Sequence, residues 1–216
     1  SDAKERLFEE RAKRTPPITD KKILSGWNGL LITGLCDAFD ALGNEAWLHT
    51  AQEIADFLRT HCWDGEHLSV CWQDGQTSGP AYLDDYAAVL QGLLTLLSHR
   101  WRDTDALFAK ALADTVVALF YDNDNGGFYF AGTDQPALIF NPKPSFDEAL
   151  PPGNAVLTQA LVQLGQLLGI QAQQESQRLR MEGLARNVIQ IFDFRGCTFL
   201  GRRKRLVVDQ APHSSA

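Results

Sequence analysis

Apolar and half-polar segments alternate along the chain. Three segments, 28–42, 86–98 and 155–168, are apolar on nearly every side, which is typical of helices buried on several sides. Each is followed by a segment with one apolar stripe and a charged opposite side, which predicts a helix with a solvent-facing side. These second segments lie at 45–62, 104–120 and 175–193. The pattern therefore predicts three pairs, each an inner helix followed by an outer helix.

The three pairs are copies of one unit. Placing Asn28 on Asn154 aligns the apolar positions of the helices that follow, and the middle copy fits with Tyr86 at the same place. Recurring units of roughly 60 residues point to stacked supersecondary elements. We expect a single helical domain with repeats at about 18–75, 76–140 and 141–216.

Short segments with strand character separate the pairs. They lie at 67–72, 126–132 and 197–208, are bounded by Gly, Asp and Asn, and predict small β-hairpins. A short, charge-rich helix is expected at 3–14, ahead of two prolines. Inner–outer pairs with hairpins between them predict an all-α fold, a partial α/α toroid of about three helical hairpins. A helical solenoid of repeat type is the neighbouring alternative.

Composition excludes several classes of partner. The net charge of -7 would repel phosphate backbones, so nucleic-acid binding is not expected. No apolar run is long enough for a membrane span and no signal peptide opens the chain, so we expect no membrane partner. The four cysteines lack CxxC spacing, which favours buried free thiols and a reducing, cytoplasmic setting. Nucleotide, zincin and redox motifs are missing, so no cofactor and no metal site are predicted.

Four motifs carry a family resemblance. ITDKKILSGWNGLLITGL, GPAYLDDYAAVLQGLL, NDNGGFYF and LPPGNAVLTQAL resemble segments of the helical domain of YyaL-type proteins, which are spermatogenesis-associated, thioredoxin-domain-containing proteins. That domain is similar to N-acylglucosamine 2-epimerase and to six-hairpin glycosidases. The resemblance implies a carbohydrate-binding or carbohydrate-acting cavity, with a sugar or small molecule as its partner.

The chain departs from the family pattern at its start. The thioredoxin-like domain and the first part of the toroid found in the relatives do not precede the Asp-Lys-Lys-Ile stretch here. We therefore expect an arc of a ring whose two edges expose apolar helix surface. Large exposed apolar patches usually become interfaces, so the arc is expected to form a homo-oligomer, with a two-fold dimer as the simplest case.

Carboxylates, amides and aromatic rings gather where the inner helices begin. Aromatic faces cover the C–H surfaces of sugars, while carboxylates and amides bind hydroxyl groups. A carboxylate pair across a cavity is the minimum for glycoside hydrolysis, one acting as acid and the other as base. The catalytic candidates are Asp84, Asp85 and Asp147. The substrate-binding candidates are Trp27, Asn28, Tyr82, Tyr86, Phe146, Glu148 and Asn154.

Each candidate also has a structural interpretation. Asn28 and Asn154 stand where helix N-caps would, and Asp84 and Asp85 occupy a helix start, where the macrodipole stabilises negative charge. The aromatic candidates, Tyr86 among them, are suited to core packing. Two functions therefore remain open: a carbohydrate-acting domain, or a non-catalytic helical scaffold for a protein partner. Carboxylates that are consumed by helix caps would favour the scaffold.

Overall fold

The computed structural model of the chain describes residues 2–144, 146 and 149–174. The predicted outer helix at 175–193 and the strand-like segment at 197–208 lie outside the described residues. The helices are α1 (Asp2–Ala12), α2 (Ser25–Leu42), α3 (Glu45–Phe57), α4 (Leu83–His99), α5 (Asp103–Phe120) and α6 (Gly153–Gln174), and the strands are β1 (Ile23–Leu24), β2 (Ser69–Gln73) and β3 (Gln76–Pro80). A π-helical turn, Leu58–Cys62, continues α3.

The inner helices are neighbours, with α4 packed against both α2 and α6. A Cβ atom added at Gly29 would lie 2.5 Å from the backbone of Ala88, and one added at Gly92 would lie 2.5 Å from the carbonyl oxygen of Gly29. Only glycine permits such an approach of two backbones. About one turn before Gly29 on α2, Gly26 contacts Asp85, which lies about one turn before Ala88 on α4. The contacts therefore advance in the same direction along both helices. The helices α2 and α4 are therefore parallel, as the repeat requires.

The outer helices lie behind the inner ones, α3 against α2 and α5 against α4. Each buries one stripe, which includes Leu48 and Ala51 on α3 and Leu112 on α5. Arg102 joins the two outer helices, because its guanidinium bonds both Asp56 and the buried carboxylate of Asp105. The predicted order of inner and outer helices is confirmed for the first two pairs.

One side of α2 is more exposed than its sequence predicts. The pattern at 28–42 predicts burial on several sides, yet Leu30 and Leu31 are exposed along with Trp27. By contrast α4, which has α2 and α6 as neighbours, is buried along most of its length. The prediction is wrong for this flank of α2, since no described element packs there.

The first of the predicted hairpins is confirmed and the second is wrong. Strands β1, β2 and β3 form an antiparallel sheet in that order, with Asp74 and Gly75 in the left-handed turn between β2 and β3. Segment 126–132 makes only a single bridge, Tyr121 to Phe128. Its backbone bonds to both neighbouring segments, because the N–H of Tyr129 donates to the carbonyl of Phe120 and the N–H of Phe130 donates to the carbonyl of Pro142, both at 2.8 Å.

Two further expectations can be checked on the described residues. Cys36, Cys62 and Cys71 are buried free thiols, as predicted, and Cys197 lies outside the described residues. Each helix of the described part is too short or too polar to span a bilayer.

Candidate functional site

The candidate residues meet where the three inner helices begin. A Cβ atom added at Gly26, in the first turn of α2, would lie 2.4 Å from Oδ1 of Asp85 on α4. One added at Gly153, the first residue of α6, would lie 2.1 Å from Oδ1 of Asp84. The start of α4 is therefore held between the starts of α2 and α6. We call this surface the helix mouth.

Asp84 joins α4 to α6. Its side chain is exposed, and Oδ1 accepts a hydrogen bond from the backbone N–H of Gly153 at 3.0 Å. The carboxylate thus lies at the N-terminal ends of two helices, where the unsatisfied N–H groups and the macrodipoles stabilise negative charge. Asp84 therefore has a structural role at the helix mouth.

Asp85 joins α4 to α2. Its Oδ2 accepts the backbone N–H of Tyr82 at 3.0 Å, and the backbone N–H of Gly26 also donates to the carboxylate. Burial and then the negative charge of Asp84 raise the pKa of Asp85, while the two N–H donors act in the opposite direction. Asp85 therefore stabilises the start of α4, as its position at a helix start predicted, and it also holds α2 against α4.

The predicted aromatic residues occupy three different environments. Trp27 is 69% exposed in the first turn of α2. Tyr82 is half-buried and stacks on Phe130, with 4.7 Å between ring centroids. Phe146 is exposed. Of these three, Trp27 offers an accessible aromatic surface directly at the start of an inner helix.

Tyr86 belongs to the core instead of the binding surface. Its ring is buried against Phe120, and its hydroxyl oxygen accepts the N–H of Leu68 at 2.8 Å. Burial raises the pKa of Tyr86 to about 12. The prediction that Tyr86 binds substrate is wrong, because no surface of the ring is accessible, and its interpretation as core packing is correct.

Neither predicted asparagine caps its helix. The N-cap of α2 is Leu24, and Asn28 lies one turn inside, where its Nδ2 donates to the carbonyl of Leu24 at 2.8 Å. Asn154 is the second residue of α6. Its Oδ1 accepts the N–H of Phe128 and its Nδ2 donates to the carbonyl of the same residue, both at 2.8 Å. The capping interpretation is wrong for both, since each helix begins earlier than predicted.

Asn154 therefore ties a loop to α6. Its Nδ2 also donates to the carbonyl of Pro144 at 3.2 Å. Its amide thus satisfies three backbone groups of two loop segments, and the role of Asn154 in substrate binding stays a prediction. Asp147 and Glu148 lie outside the described residues. The proposed pairing of Asp84 or Asp85 with Asp147 stays a prediction.

A buried carboxylate, Asp122, organises the loop next to the helix mouth. It accepts the N–H groups of Asp124 and Asn125, the hydroxyl of Tyr129 and the ammonium of Lys143. The ammonium of Lys143 and the other donors hold the pKa of Asp122 well below its usual range. The contact with Lys143 spans a distance in sequence that no local pattern reveals. Within the described residues no three His, Cys, Asp or Glu side chains are grouped as a metal ion would need.

No family model matches the chain. Among curated proteins, it is 32% identical over 179 residues to spermatogenesis-associated protein 20 of Rattus norvegicus, covering 76% of this chain and 22% of the relative. The protein of the same name from Homo sapiens is 33% identical over 171 residues, covering 74% and 22% respectively. The chain thus spans about a fifth of the length of the curated relatives it matches.

Solved structures share the fold at low sequence identity. The cellobiose 2-epimerase of Bacillus thermoamylovorans matches with a TM-score of 0.57 and 14% identity, over 80% of this chain and 45% of that one. A glycoside hydrolase of family 105 from C. acetobutylicum matches with a TM-score of 0.58 and 11% identity, over 86% and 55%. These likenesses establish the fold alone. The predicted all-α, partial α/α toroid is confirmed.

Proposed function

We propose that this chain, a homologue of the proteins named spermatogenesis-associated protein 20, binds carbohydrate at the helix mouth of its partial α/α toroid. The observation that carries the proposal is the placement of Trp27 and Asp84 in the first turns of two adjacent inner helices, α2 and α4. Trp27 follows Gly26, and Gly26 contacts Asp85, which is the next residue after Asp84. An accessible indole and an exposed carboxylate therefore belong to one end of two adjacent helices.

This pair of groups suits a sugar ring. The indole face covers the apolar C–H side of a pyranose, and the carboxylate oxygens of Asp84 accept hydrogen bonds from its hydroxyl groups. One aromatic surface with a few fixed polar groups is typical of small-molecule sites. Trp27 would supply most of the contact area, and Asp84 would orient the ring.

The fold adds a weaker form of support. The solved structures that resemble this chain include a cellobiose 2-epimerase and glycoside hydrolases, which by their names act on carbohydrates. One fold hosts many functions, so the likeness alone adds little support for a sugar ligand. The proposal therefore rests on the residues at the helix mouth.

Binding is better supported than hydrolysis. Asp85 holds the starts of α2 and α4 together through backbone N–H groups, so we assign it a positioning role behind the surface. Asp84 is exposed, and hydrolysis would require a second carboxylate about 5–10 Å from it. Asp147 is the candidate for that second carboxylate. The proposed function therefore includes catalysis only if Asp147 lies opposite Asp84.

A non-catalytic scaffold is the second candidate function. It is favoured by the use of both Asp84 and Asp85 as hydrogen-bond acceptors for backbone groups at helix starts. It is also favoured by the exposed apolar side chains of Ile139 and Phe140, in the loop that leads to α6. Such exposed apolar groups are common at protein–protein contacts.

Thermal unfolding in the presence of sugars tests the proposal. Cellobiose, mannose and N-acetylglucosamine at millimolar concentration are the probes, since a ligand that binds only the folded state raises Tm. Trp27→Ala should weaken binding about tenfold or more, equivalent to ~1.4 kcal/mol. Trp101→Ala is the matched control, because Trp101 is also accessible but follows the C-terminal end of α4.

The outcomes separate the two candidates. A Tm increase that Trp27→Ala removes and Trp101→Ala retains supports a carbohydrate site at the helix mouth. If no sugar raises Tm, or if both variants lose the effect equally, the carbohydrate proposal is overturned and the scaffold becomes the better interpretation.

A further inference from the structure

The loop beside the helix mouth begins with a tight turn that its own backbone closes. The N–H of Asp122 donates to the carbonyl of Gly127, and the N–H of Gly126 donates to the carbonyl of Asp122, both at 2.9 Å. Gly126 and Gly127 have φ values of 71° and 76°, a left-handed conformation that glycine adopts without strain. The turn is therefore formed by local groups, before any distant residue contributes.

The carboxylate of Asp122 lies inside this turn, and its two oxygens have different partners. Oδ1 accepts the backbone N–H groups of Asp124 and Asn125, at 2.9 and 3.2 Å. Oδ2 accepts the hydroxyl of Tyr129 at 2.9 Å and the ammonium of Lys143. The Asp122 side chain is only 5% exposed, and a buried carboxylate is costly unless a cation accompanies it. The turn therefore requires a positive charge at Oδ2.

The turn offers one cation three kinds of contact. The ammonium of Lys143 bonds Asp122, donates to the carbonyl of Gly126 at 2.8 Å and lies 4.6 Å from the centroid of the Tyr129 ring. A primary ammonium has three N–H donors and is attracted to an aromatic face. The Lys143 side chain is 29% exposed, so solvent reaches the place where it binds.

These contacts suit an ammonium better than a metal ion. Ca²⁺ takes six to eight oxygen ligands, whereas Oδ1 of Asp122 is already engaged by two N–H groups. The remaining contacts, one carboxylate oxygen, one carbonyl and one ring face, are too few for Ca²⁺ and match the donors of a single ammonium. We call Asp122, Gly126 and Tyr129 the ammonium site.

The lysine that fills the ammonium site belongs to a segment that contacts the helix mouth. Pro142, which precedes Lys143, accepts the N–H of Phe130 at 2.8 Å through its carbonyl. The ring of Phe130 stacks on Tyr82, the N-cap residue of α4. A contact at Lys143 is thus transmitted through one backbone hydrogen bond and one ring stack to the start of the central helix.

We propose that Asp122, Gly126 and Tyr129 form a binding site for a primary alkylammonium ion, that Lys143 of the same chain is its occupant, and that this occupancy fixes segment 141–144 beside the helix mouth. Because Lys143 is tethered, its effective concentration at the site exceeds that of any free amine, so the unaltered protein has no need of one. When the lysine is removed, a free alkylammonium ion takes its place in the turn.

Replacement of the lysine by a soluble amine tests the site. Lys143→Ala removes three methylene groups and the ammonium, which together correspond to n-propylammonium. The variant should have a lower Tm, and the Phe130 amide, bonded to Pro142, should exchange its hydrogen about tenfold faster. The Arg100 amide, bonded to Leu96 at the other end of α4, should keep its rate. Addition of n-propylammonium chloride at roughly 10–100 mM should restore both Tm and the slow exchange at Phe130.

A second lysine provides the matched control. Lys110 on α5 is 27% exposed and its ammonium also binds a carboxylate, that of Asp114 at 2.7 Å. Lys110→Ala should gain no stability from n-propylammonium. Potassium chloride at the same ionic strength should not rescue Lys143→Ala, and neither should tetramethylammonium chloride, which has no N–H group to donate to Asp122. These measurements require no sugar, so their outcome is independent of the function proposed for the helix mouth.

The outcomes are decisive in each direction. Rescue of Lys143→Ala by n-propylammonium, and not by the two other salts, supports the ammonium site. Rescue that is equal with all three salts overturns it, as does a complete absence of rescue. Lys143→Gln keeps an N–H donor without the charge and should show the same fast exchange at Phe130, which provides a test even if Lys143→Ala does not fold. Unchanged exchange at Phe130 in Lys143→Gln overturns the role of the ammonium in fixing the segment.

Discussion

Oδ1 of Asp84 accepts a hydrogen bond from the backbone N–H of Gly153 at 3.0 Å, which joins the first turn of α4 to the first residue of α6. Asp85, the next residue, performs the equivalent task toward Gly26 of α2. Two consecutive carboxylates on the central helix therefore align the starts of both neighbouring helices. The shape of the helix mouth depends on this alignment.

Asp84→Ala should lower the free energy of unfolding by about 0.5–2 kcal/mol, because it removes an acceptor for an N–H group at a helix start. Denaturant-induced unfolding at neutral pH measures the change. Asp37→Ala is the control, since Asp37 is exposed on the side of α2 and should contribute little. Equal effects for the two variants would contradict the role assigned to Asp84.

Gly29→Ala should destabilise the chain by about 1–3 kcal/mol, the cost of overpacking a close contact. The added Cβ would lie 2.5 Å from the backbone of Ala88, and a backbone cannot move away as a flexible side chain can. Gly34→Ala, in the same helix, meets no atom within 4 Å and should stabilise the isolated chain by roughly 0.5–1 kcal/mol. Opposite signs in thermal unfolding verify the close approach of α2 and α4, and a loss of stability in both variants would refute it.

Asn154→Ala should cost about 1–3 kcal/mol, since it leaves the N–H and the carbonyl of Phe128 without their partners. Asn154→Asp is the informative companion. It keeps an acceptor for the N–H of Phe128 but places negative charge against two carbonyl oxygens, so it should not rescue stability. Gln159→Ala, at an exposed position of α6, serves as the control. Asn154→Asp with full stability would show that the donor bonds contribute nothing.

His99 is the last residue of the inner helix α4, at the end opposite to the helix mouth, and it makes the stability of the fold depend on pH. Its ring nitrogens lie 2.8 Å from the carbonyl of Thr95 and 2.9 Å from the carboxylate of Asp40. Burial acts to lower the pKa of His99, but the hydrogen bonds to Thr95 and Asp40 outweigh it and raise the pKa above the ordinary value. Because both partners are acceptors, the imidazolium form is the one that the fold favours.

The sign of the pH effect follows from that raised pKa. The contribution of His99 to the free energy of unfolding is complete below its unfolded-state pKa of about 6.5. It is lost as the pH rises through the higher folded-state pKa. Unfolding free energies measured across this window should therefore fall with increasing pH. His99→Gln should flatten that slope, because it removes the ring that bonds Thr95 and Asp40. An unaltered slope in His99→Gln would exclude His99 as the cause.

Interactions within a few residues account for what the sequence predicted well. The alternation of apolar and half-polar segments identified α2 to α6 and the order of inner and outer helices, because burial on one or several sides leaves a period of 3.6 residues. The repeat alignment also anticipated that Asn28, Tyr86 and Asn154 would lie near one end of the three inner helices. The starts of the inner helices were placed two or three residues late. For α2 the reason is that its N-cap, Leu24, offers no capping side chain to recognise.

The sequence by itself determined the helical repeat, its amphipathic order and the gathering of acids and aromatic rings at the helix starts, because each of these is fixed by spacing along one chain. The tertiary structure decided which groups remain accessible. The ring of Tyr86 is buried against Phe120, and the side-chain amide of Asn154 is hydrogen-bonded to the backbone of Phe128, while Trp27 is exposed. These outcomes depend on neighbours far away in the sequence, and a local pattern holds no information about which distant backbone will reach a given side chain.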